Sequence, residues 1–360
     1  MNVIPVVLAG GIGERFWPLS RSGMPKQLHS IISNKTMLED TLRRVSPLCS
    51  ENQKPLVVTN QAIAEKIENV ISPEIKIDII AEPQGKNTAP AVALAAAWVQ
   101  KNYGDAVMLI VSADHAISPQ EDFIKTASYA VERANESDQL VVFGIKPNRP
   151  ETGYGYIETA ELLNEDNGNQ LFKVKRFVEK PDSEKAERFM KSGNFLWNSG
   201  MFVWRTSVIL EEFKKYMPQL FAQTEKLSSK NFSLSAIETF YSECEKESID
   251  FGIMEHSLKT AVVAGVFNWD DIGSWESLSR VHGKNENQST TLGKGIFEKD
   301  CQDSLIVNKS GKPLATIGLK NTAVIAVEDT FLVIERSRLP ELKTYLEELK
   351  KNGEFPKDLF

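Results

Sequence analysis

The sequence predicts an α/β protein, built on a mixed, mainly parallel sheet covered by helices and ending in a small β-rich C-terminal domain. Three observations carry that expectation. Short apolar runs rich in branched residues recur at Val3–Ala9, 55–59, 107–111 and 140–145, each the length of a buried strand. Helical stretches fall between them, at 36–44, from Thr88 onward, and up to Ala134. This alternation is that of a doubly wound sheet with right-handed crossovers. Beyond a polar stretch at 283–292, the pattern changes to short strands separated by turn signals.

Composition narrows the function classes. At 360 residues the chain can bury a full α/β core and a smaller second unit, and 41% apolar content is that of a globular protein. A net charge of -7 argues against a general nucleic-acid binder, while a few local basic residues still suffice for a nucleotide. Cys49, Cys244 and Cys301 lie far apart without a C-x-x-C pair, so neither a disulfide framework nor a zinc site is expected, and a reducing compartment fits. The first apolar run ends in a glycine loop rather than a cleavage site. Residues 89–99 are too few for a membrane span, which needs about 20. A soluble, cytoplasmic protein without membrane attachment is the expectation.

The first strand runs directly into Gly10-Gly11-Ile12-Gly13, with Arg15 and Lys26 as basic residues close behind. Glycine admits positive φ and close backbone approach, so consecutive N–H groups can turn toward an anion. A plain tight connection is the competing reading. The dinucleotide pattern G-x-G-x-x-G fails at Phe16, and no G-x-x-x-x-G-K-[ST] loop is present. The short strand 77–80 leads into Glu82-Pro83-Gln84-Gly85-Lys86-Asn87-Thr88-Ala89-Pro90-Ala91, where Thr88 is placed to cap the alanine-rich helix and Pro90 falls in its first turn.

Asp114 follows the strand 107–111, at the edge where open α/β sheets bind ligands. Ser118 and Glu121 have the spacing of a capping box for the next helix. From Pro150 the strands lengthen. Gly155 precedes one, Glu179-Lys180-Pro181 closes the strand 172–178 ahead of a helix at 183–193, and Trp197-Asn198-Ser199-Gly200 turns into another. Residues 206–247 are helical and amphipathic, with a packing role. A strand at 261–267 ends in Trp269-Asp270-Asp271-Ile272-Gly273-Ser274-Trp275, and either aspartate there could be a metal ligand. The polar stretch sets the domain boundary: residues 1–285 form a larger domain and 290–360 a smaller one. Its strands are expected at 304–307, 314–317, 322–327 and 331–335, before a helix with Pro340 in its first turn.

The run G-G-x-G-x-R-F-x-P-L-S-R…P-K-Q resembles the signature loop of the sugar-1-phosphate nucleotidyltransferases. In its Phe-Trp-Pro-Leu-Ser-Arg detail it resembles the mannose-1-phosphate guanylyltransferase branch. The 82–91 segment and the W-x-D-I-G-S-W run match further motifs, and Leu314–Leu319 is similar to that branch's small β-helical domain. The resemblance implies a Rossmann-like, GT-A-like catalytic domain and a monofunctional short form without the isomerase half. It implies transfer of GMP from GTP to α-D-mannose 1-phosphate. Arg15 and Lys26 would be catalytic, and Leu8, Gly10, Gly11, Gly13, Glu82, Gly85, Asn87 and Thr88 would bind nucleotide. Gly155, Glu179, Lys180, Asn198 and Asp114 would bind the sugar phosphate. Asp114 and Asp271 would hold Mg²⁺, with Asp271 at the position of the family's metal-binding aspartate. The segment Ser248–Glu255 also resembles a family segment, without a chemistry that follows from its residues. GTP and mannose 1-phosphate are the implied small-molecule partners, and a homodimer is the expected assembly. A regulatory relative that binds nucleotide sugar without turnover is the rival reading. A transferase for another hexose or base is the runner-up.

Overall fold

The computed structural model of the protein describes Asn2 to Phe360. Among these residues the chain divides into two compact units. The first takes the residues up to Gly10, then Thr41–Ala113 and Ile117–Trp269. It is built on a nine-stranded sheet in the order 78–82, 56–60, 3–9, 107–112, 195–205, 140–145, 260–265, 169–178, 156–166. Two of these strands, Phe195–Arg205 and Asn169–Val178, run against the rest, so the sheet is mixed but mainly of one direction. The register pairs Leu8 with Val58 and Ser112, and Asn60 with Glu82. Gly10, Glu82 and Ala113 therefore leave the sheet at one carboxyl edge, where open α/β sheets place ligands.

The sheet holds because its central strands are buried on both faces, as continuous Val, Ile and Leu runs require. Ile4, Val6, Leu56, Val58, Met108, Ile110 and Val142 share one core with the helix Thr88–Tyr103. Ten residues of that helix are buried, and its alanines let it lie close to the strands. Its cap differs from expectation. Asn87, at φ 69°, accepts from the Thr88 amide at 2.9 Å, and Thr88 is the first helical residue. The Thr88 hydroxyl is committed elsewhere, to the Ile249 amide at 2.9 Å. The capping box also does not form. Ser118 belongs to the short strand Ala116–Ser118, and the helix Gln120–Glu136 starts after Pro119 without a side-chain cap. The helical stretch after 206 is three helices, Thr206–Tyr216, Pro218–Ser229 and Leu234–Glu243.

The second unit comprises Gly11–Asp40, Asp114–Ala116 and Asp270–Phe360. Its strands Thr290–Gly293, Leu305–Asn308 and Thr322–Ala326 stack in parallel, as do Ile296–Lys299 and Leu314–Ile317. Successive coils laid strand on strand are the geometry of a β-helix. Phe331–Glu335 pairs antiparallel to 322–326 and ends the stack. The core of this unit joins Leu305, Val307, Ala323 and Ile325 to Phe16, Trp17, Trp275, Leu342 and Leu346. Residues 11–40 thus share a core with the C-terminal strands, and the compact units do not follow a single cut in the sequence. Pro340 lies in the tight turn Arg336–Glu341, just ahead of the last helix Leu342–Asn352. No helix among the described residues is long and apolar enough to cross a membrane.

Candidate active site

In the second unit, the glycine loop folds around Lys26. Gly13 sits at φ 75°, and a Cβ there would come within 2.6 Å of the Lys26 Cβ, so both conformation and space demand glycine. The Gln27 side chain donates to the Gly11 carbonyl at 2.9 Å, and the Lys26 amide donates to that of Ile12 at 3.2 Å. Lys26 is almost wholly buried, with its ammonium 5.5 Å from the Phe16 ring centroid. It pairs with an Asp114 carboxylate oxygen at 2.6 Å and donates to the Ile272 carbonyl at 2.7 Å. The Asp271 carbonyl lies 3.4 Å away. One ammonium thereby gathers the Asp114 segment and the 270–273 turn beside the glycine loop. Arg15 is exposed, and no ion pair joins it to another described residue.

The two adjacent aspartates face different tasks. Asp270 is buried and accepts Nε and Nη2 of Arg280 at 2.6 and 3.0 Å, together with the Ile272 amide at 2.9 Å. Asp271 is partly exposed and accepts the Gly273 amide at 3.1 Å. Between them and Gly273, Ile272 is fully buried at φ 46°, a strained conformation for a β-branched residue. The carbonyl of this strained residue is the one that Lys26 holds.

Asp114 and Asp271 carry oxygen donors of the kind that hard divalent cations take, and both keep solvent access. Among the described residues, no three His, Cys, Asp or Glu side chains cluster as a ready metal cage.

In the first unit, Gly10 approaches Glu82 closely: a Cβ there would lie 3.3 Å from Oε2 of Glu82. Glu82 is buried, and the Tyr241 hydroxyl donates to its Oε1 at 2.6 Å. Burial pushes the Glu82 carboxyl up to about 7, although the Tyr241 hydrogen bond pulls it down. The loop after Glu82 is strapped by one neighbouring segment. Gln84 donates to the Tyr241 carbonyl at 3.0 Å and Lys86 to that of Cys244 at 2.9 Å. The Glu247 amide donates to the Lys86 carbonyl, and Ala89 to that of Glu247. Gly85 and Asn87 are exposed at the crest of this loop, and a Cβ at Gly85 would meet no protein atom. Leu8 is half-buried at the end of its strand.

Gly155, Glu179, Lys180 and Asn198 also converge within the first unit. A Cβ on Gly155 would stand 2.9 Å from Oε2 of Glu179 and 3.5 Å from the Asn198 Cβ. The Asn198 amide donates to the Gly155 carbonyl at 2.8 Å, and its side-chain oxygen accepts from Gly200 at 3.0 Å. Lys180 pairs with Glu179 at 2.6 Å, with both side chains largely exposed. Its φ of 37° is unusual for a residue before proline, which prefers extended backbone. Sequence reasoning did not identify three residues here: Tyr241 behind Glu82, Arg280 behind Asp270, and Asp250, whose carboxylate accepts Nδ2 of Asn198 at 2.7 Å.

A glycine loop, a buried lysine between carboxylate and carbonyls, and strapped loops at a sheet's carboxyl edge are the equipment of an α/β nucleotide-handling transferase. A family described as nucleotidyl transferase matches residues 4–288. The mannose-1-phosphate guanylyltransferase of Klebsiella pneumoniae is 37% identical over 358 residues, spanning 97% of this chain and 74% of that protein. That of Salmonella typhimurium is 37% identical over 363 residues, spanning 98% and 73%. A solved structure from Thermus thermophilus, described as a mannose-1-phosphate geranyltransferase, superposes with a TM-score of 0.86 at 31% identity. It covers 97% of this chain and 100% of that one. The chain belongs to the nucleotidyl transferase family, in the branch of the mannose-1-phosphate guanylyltransferases.

Proposed function

We propose that this protein transfers GMP from GTP to α-D-mannose 1-phosphate, giving GDP-mannose and pyrophosphate. An oxygen of the sugar phosphate forms a bond to the α-phosphorus. The bond from that phosphorus to the bridging oxygen breaks, and the electron pair leaves with pyrophosphate. The nucleophile is already an anion at neutral pH, so no side chain need remove a proton. The barrier lies in bringing polyanions together and stabilising charge as it redistributes, which positioning and electrostatics lower.

The observation that carries this reading is the buried Lys26 ammonium, fixed between Asp114 and the 270–273 turn under the glycine loop. In this reading Gly11 and Gly13 offer backbone to the triphosphate, and the exposed Arg15 and the buried Lys26 supply positive charge. Glu82, Gly85, Asn87 and Thr88 surround the base, and Leu8 and Gly10 line the way to it. Gly155, Glu179 and Asn198 take the hexose, and Lys180 its phosphate. Asp114 and Asp271 would hold Mg²⁺, whose charge offsets that of the phosphates. The match at 4–288 supports a catalytic domain over 1–285, with 290–360 as an accessory β-helical domain.

The three unpaired cysteines support a cytoplasmic setting. We propose a homodimer through the C-terminal domain, on whose strands Phe297, Ile317, Phe331 and Val333 are exposed. Light scattering on the full chain tests the assembly, and a monomer counts against it. Pyrophosphate release across a panel of nucleoside triphosphates and hexose 1-phosphates, with and without chelator, tests the activity. The expected result is highest turnover with GTP and mannose 1-phosphate, abolished by chelator.

A further inference from the structure

We propose that Asp250 is a further hexose-binding residue: held by Asn198, its carboxylate accepts a sugar hydroxyl and, with Glu179, sets the preference among hexose epimers. The inference rests on the reading that the protein uses a hexose 1-phosphate.

Asp250 lies in Ser248–Glu255, a stretch that no other part of the chemistry employs. Asn198 Nδ2 donates to its Oδ1 at 2.7 Å. Asn198 is itself fixed twice, through the Gly155 carbonyl and the Gly200 amide. Asp250 therefore joins the group formed by Gly155, Glu179 and Asn198. Nor is it needed to cap its own turn, because the Ser248 hydroxyl accepts the Phe251 amide at 3.1 Å. A carboxylate accepts about four hydrogen bonds, and the Asn198 amide uses one.

The choice of a charged group here has a physical cost. Desolvation and the nearby charge of Glu179 raise the Asp250 carboxyl above its usual range. An asparagine would accept from Asn198 equally well and without that repulsion. A second carboxylate becomes useful when a ligand brings several hydroxyl donors, since charge-assisted hydrogen bonds are the stronger kind. The position is also rigid. Glu247 exchanges two hydrogen bonds with Lys86 and Ala89, and the Ile249 amide donates to Thr88 at 2.9 Å. The segment that presents Asp250 is thus the one that straps the 82–89 loop, and a fixed carboxylate discriminates hydroxyl orientation where a mobile one would follow it.

Steady-state kinetics of the full-length protein test the assignment, using mannose 1-phosphate, glucose 1-phosphate and monodeoxy mannose 1-phosphates. Asp250→Asn keeps the Asn198 contact and removes the charge. It should raise KM for mannose 1-phosphate tenfold or more, leave KM for GTP within about twofold, and lower the mannose-to-glucose ratio of kcat/KM. One deoxy sugar should lose a similar factor with the wild type and little more with the variant, because both remove the same hydrogen bond. Asp250→Ser, uncharged and smaller, should behave alike if Asp250→Asn folds poorly. Equal rises in both KM values, or fully additive losses for every deoxy sugar, would overturn the assignment while wild-type turnover leaves the activity standing. Absence of wild-type turnover with any hexose 1-phosphate would overturn the functional reading and this inference with it.

Discussion

Arg280 grips Asp270 at two points, Nε on one carboxylate oxygen at 2.6 Å and Nη2 on the other at 3.0 Å. Its neighbour Asp271 is partly exposed and accepts the Gly273 amide at 3.1 Å. The pair predicts a split between stability and activity. Asp271→Ala should lose less stability than Asp270→Ala but turn over at least about 10²-fold more slowly than the wild type. Asp270→Ala should unfold more easily by about 1–3 kcal/mol, a range set by the burial of Asp270 and the exposed edge of Arg280. Thermal melts and pyrophosphate release on both variants separate the two. An inactive but fully stable Asp270→Ala would reverse the assignment.

The glycine loop offers a sharper comparison. Gly13→Ala must place a Cβ 2.6 Å from that of Lys26 and hold φ at 75°, so a loss of about 1–3 kcal/mol is expected in denaturant unfolding. Gly11→Ala meets no atom within 4 Å and should leave stability within about 0.5 kcal/mol. Equal effects at the two positions would contradict the loop geometry.

Glu82 gives the protein a specific pH dependence. Its carboxyl is raised by burial to about 7, so the folded state binds a proton that the unfolded chain releases near pH 4.5. The contribution to stability is full below pH 4.5 and is lost as pH rises toward 7, on the order of 3 kcal/mol across the window. Glu82→Gln should remove that slope from melting temperatures measured between pH 4.5 and 7. Tyr241→Phe deletes the hydrogen bond that lowers the Glu82 carboxyl and should move the window upward. An unchanged slope in Glu82→Gln would assign the dependence to other groups.

Arg336 ties the last strands to the helix Glu276–His282. Its buried guanidinium reaches Glu276 at 2.6 and 2.8 Å, Asp303 at 3.0 Å and the Ser279 hydroxyl at 3.0 Å. Arg336→Ala should lower stability by about 2–3 kcal/mol, since its partly exposed acidic partners regain water. Arg336→Lys should recover only part, because a single ammonium cannot reproduce the fork. Urea midpoints report both.

Much of the fold was legible because strands buried on two faces read as unbroken apolar runs. Val3–Ala9 and Leu140–Ile145 fall at their expected bounds. The glycine loop and the tryptophan-flanked aspartates were legible as candidate sites because several residue types recur there at fixed spacing. What was missed depends on partners distant in sequence. Thr88 has the chemistry of a cap, but its hydroxyl meets Ile249, and Asn87 takes the role with a left-handed backbone. Tyr241 and Glu82 are separated by 159 positions, and nothing local to either announces the other. The hairpin at Asn167-Gly168 did carry a local signal, the residues that a tight left-handed turn prefers. The unequal standing of Asp270 and Asp271 appears only with Arg280 in place.

The shared core of Phe16, Trp17 and the C-terminal strands sets a timetable for biosynthesis. The Trp17 indole donates to the carbonyl of Leu359, 342 positions later. At about 5–20 residues per second on the ribosome, roughly twenty seconds to a minute separates the two ends of that contact. The glycine loop emerges early and waits, while the sheet of the first unit can form behind it. A chain that stalls before Leu305 already carries Gly13 and Lys26, but not the strands that bury the neighbouring aromatic rings. Nascent and prematurely terminated chains should therefore hold the glycine loop without its packed aromatic support, which is completed only when synthesis is nearly finished.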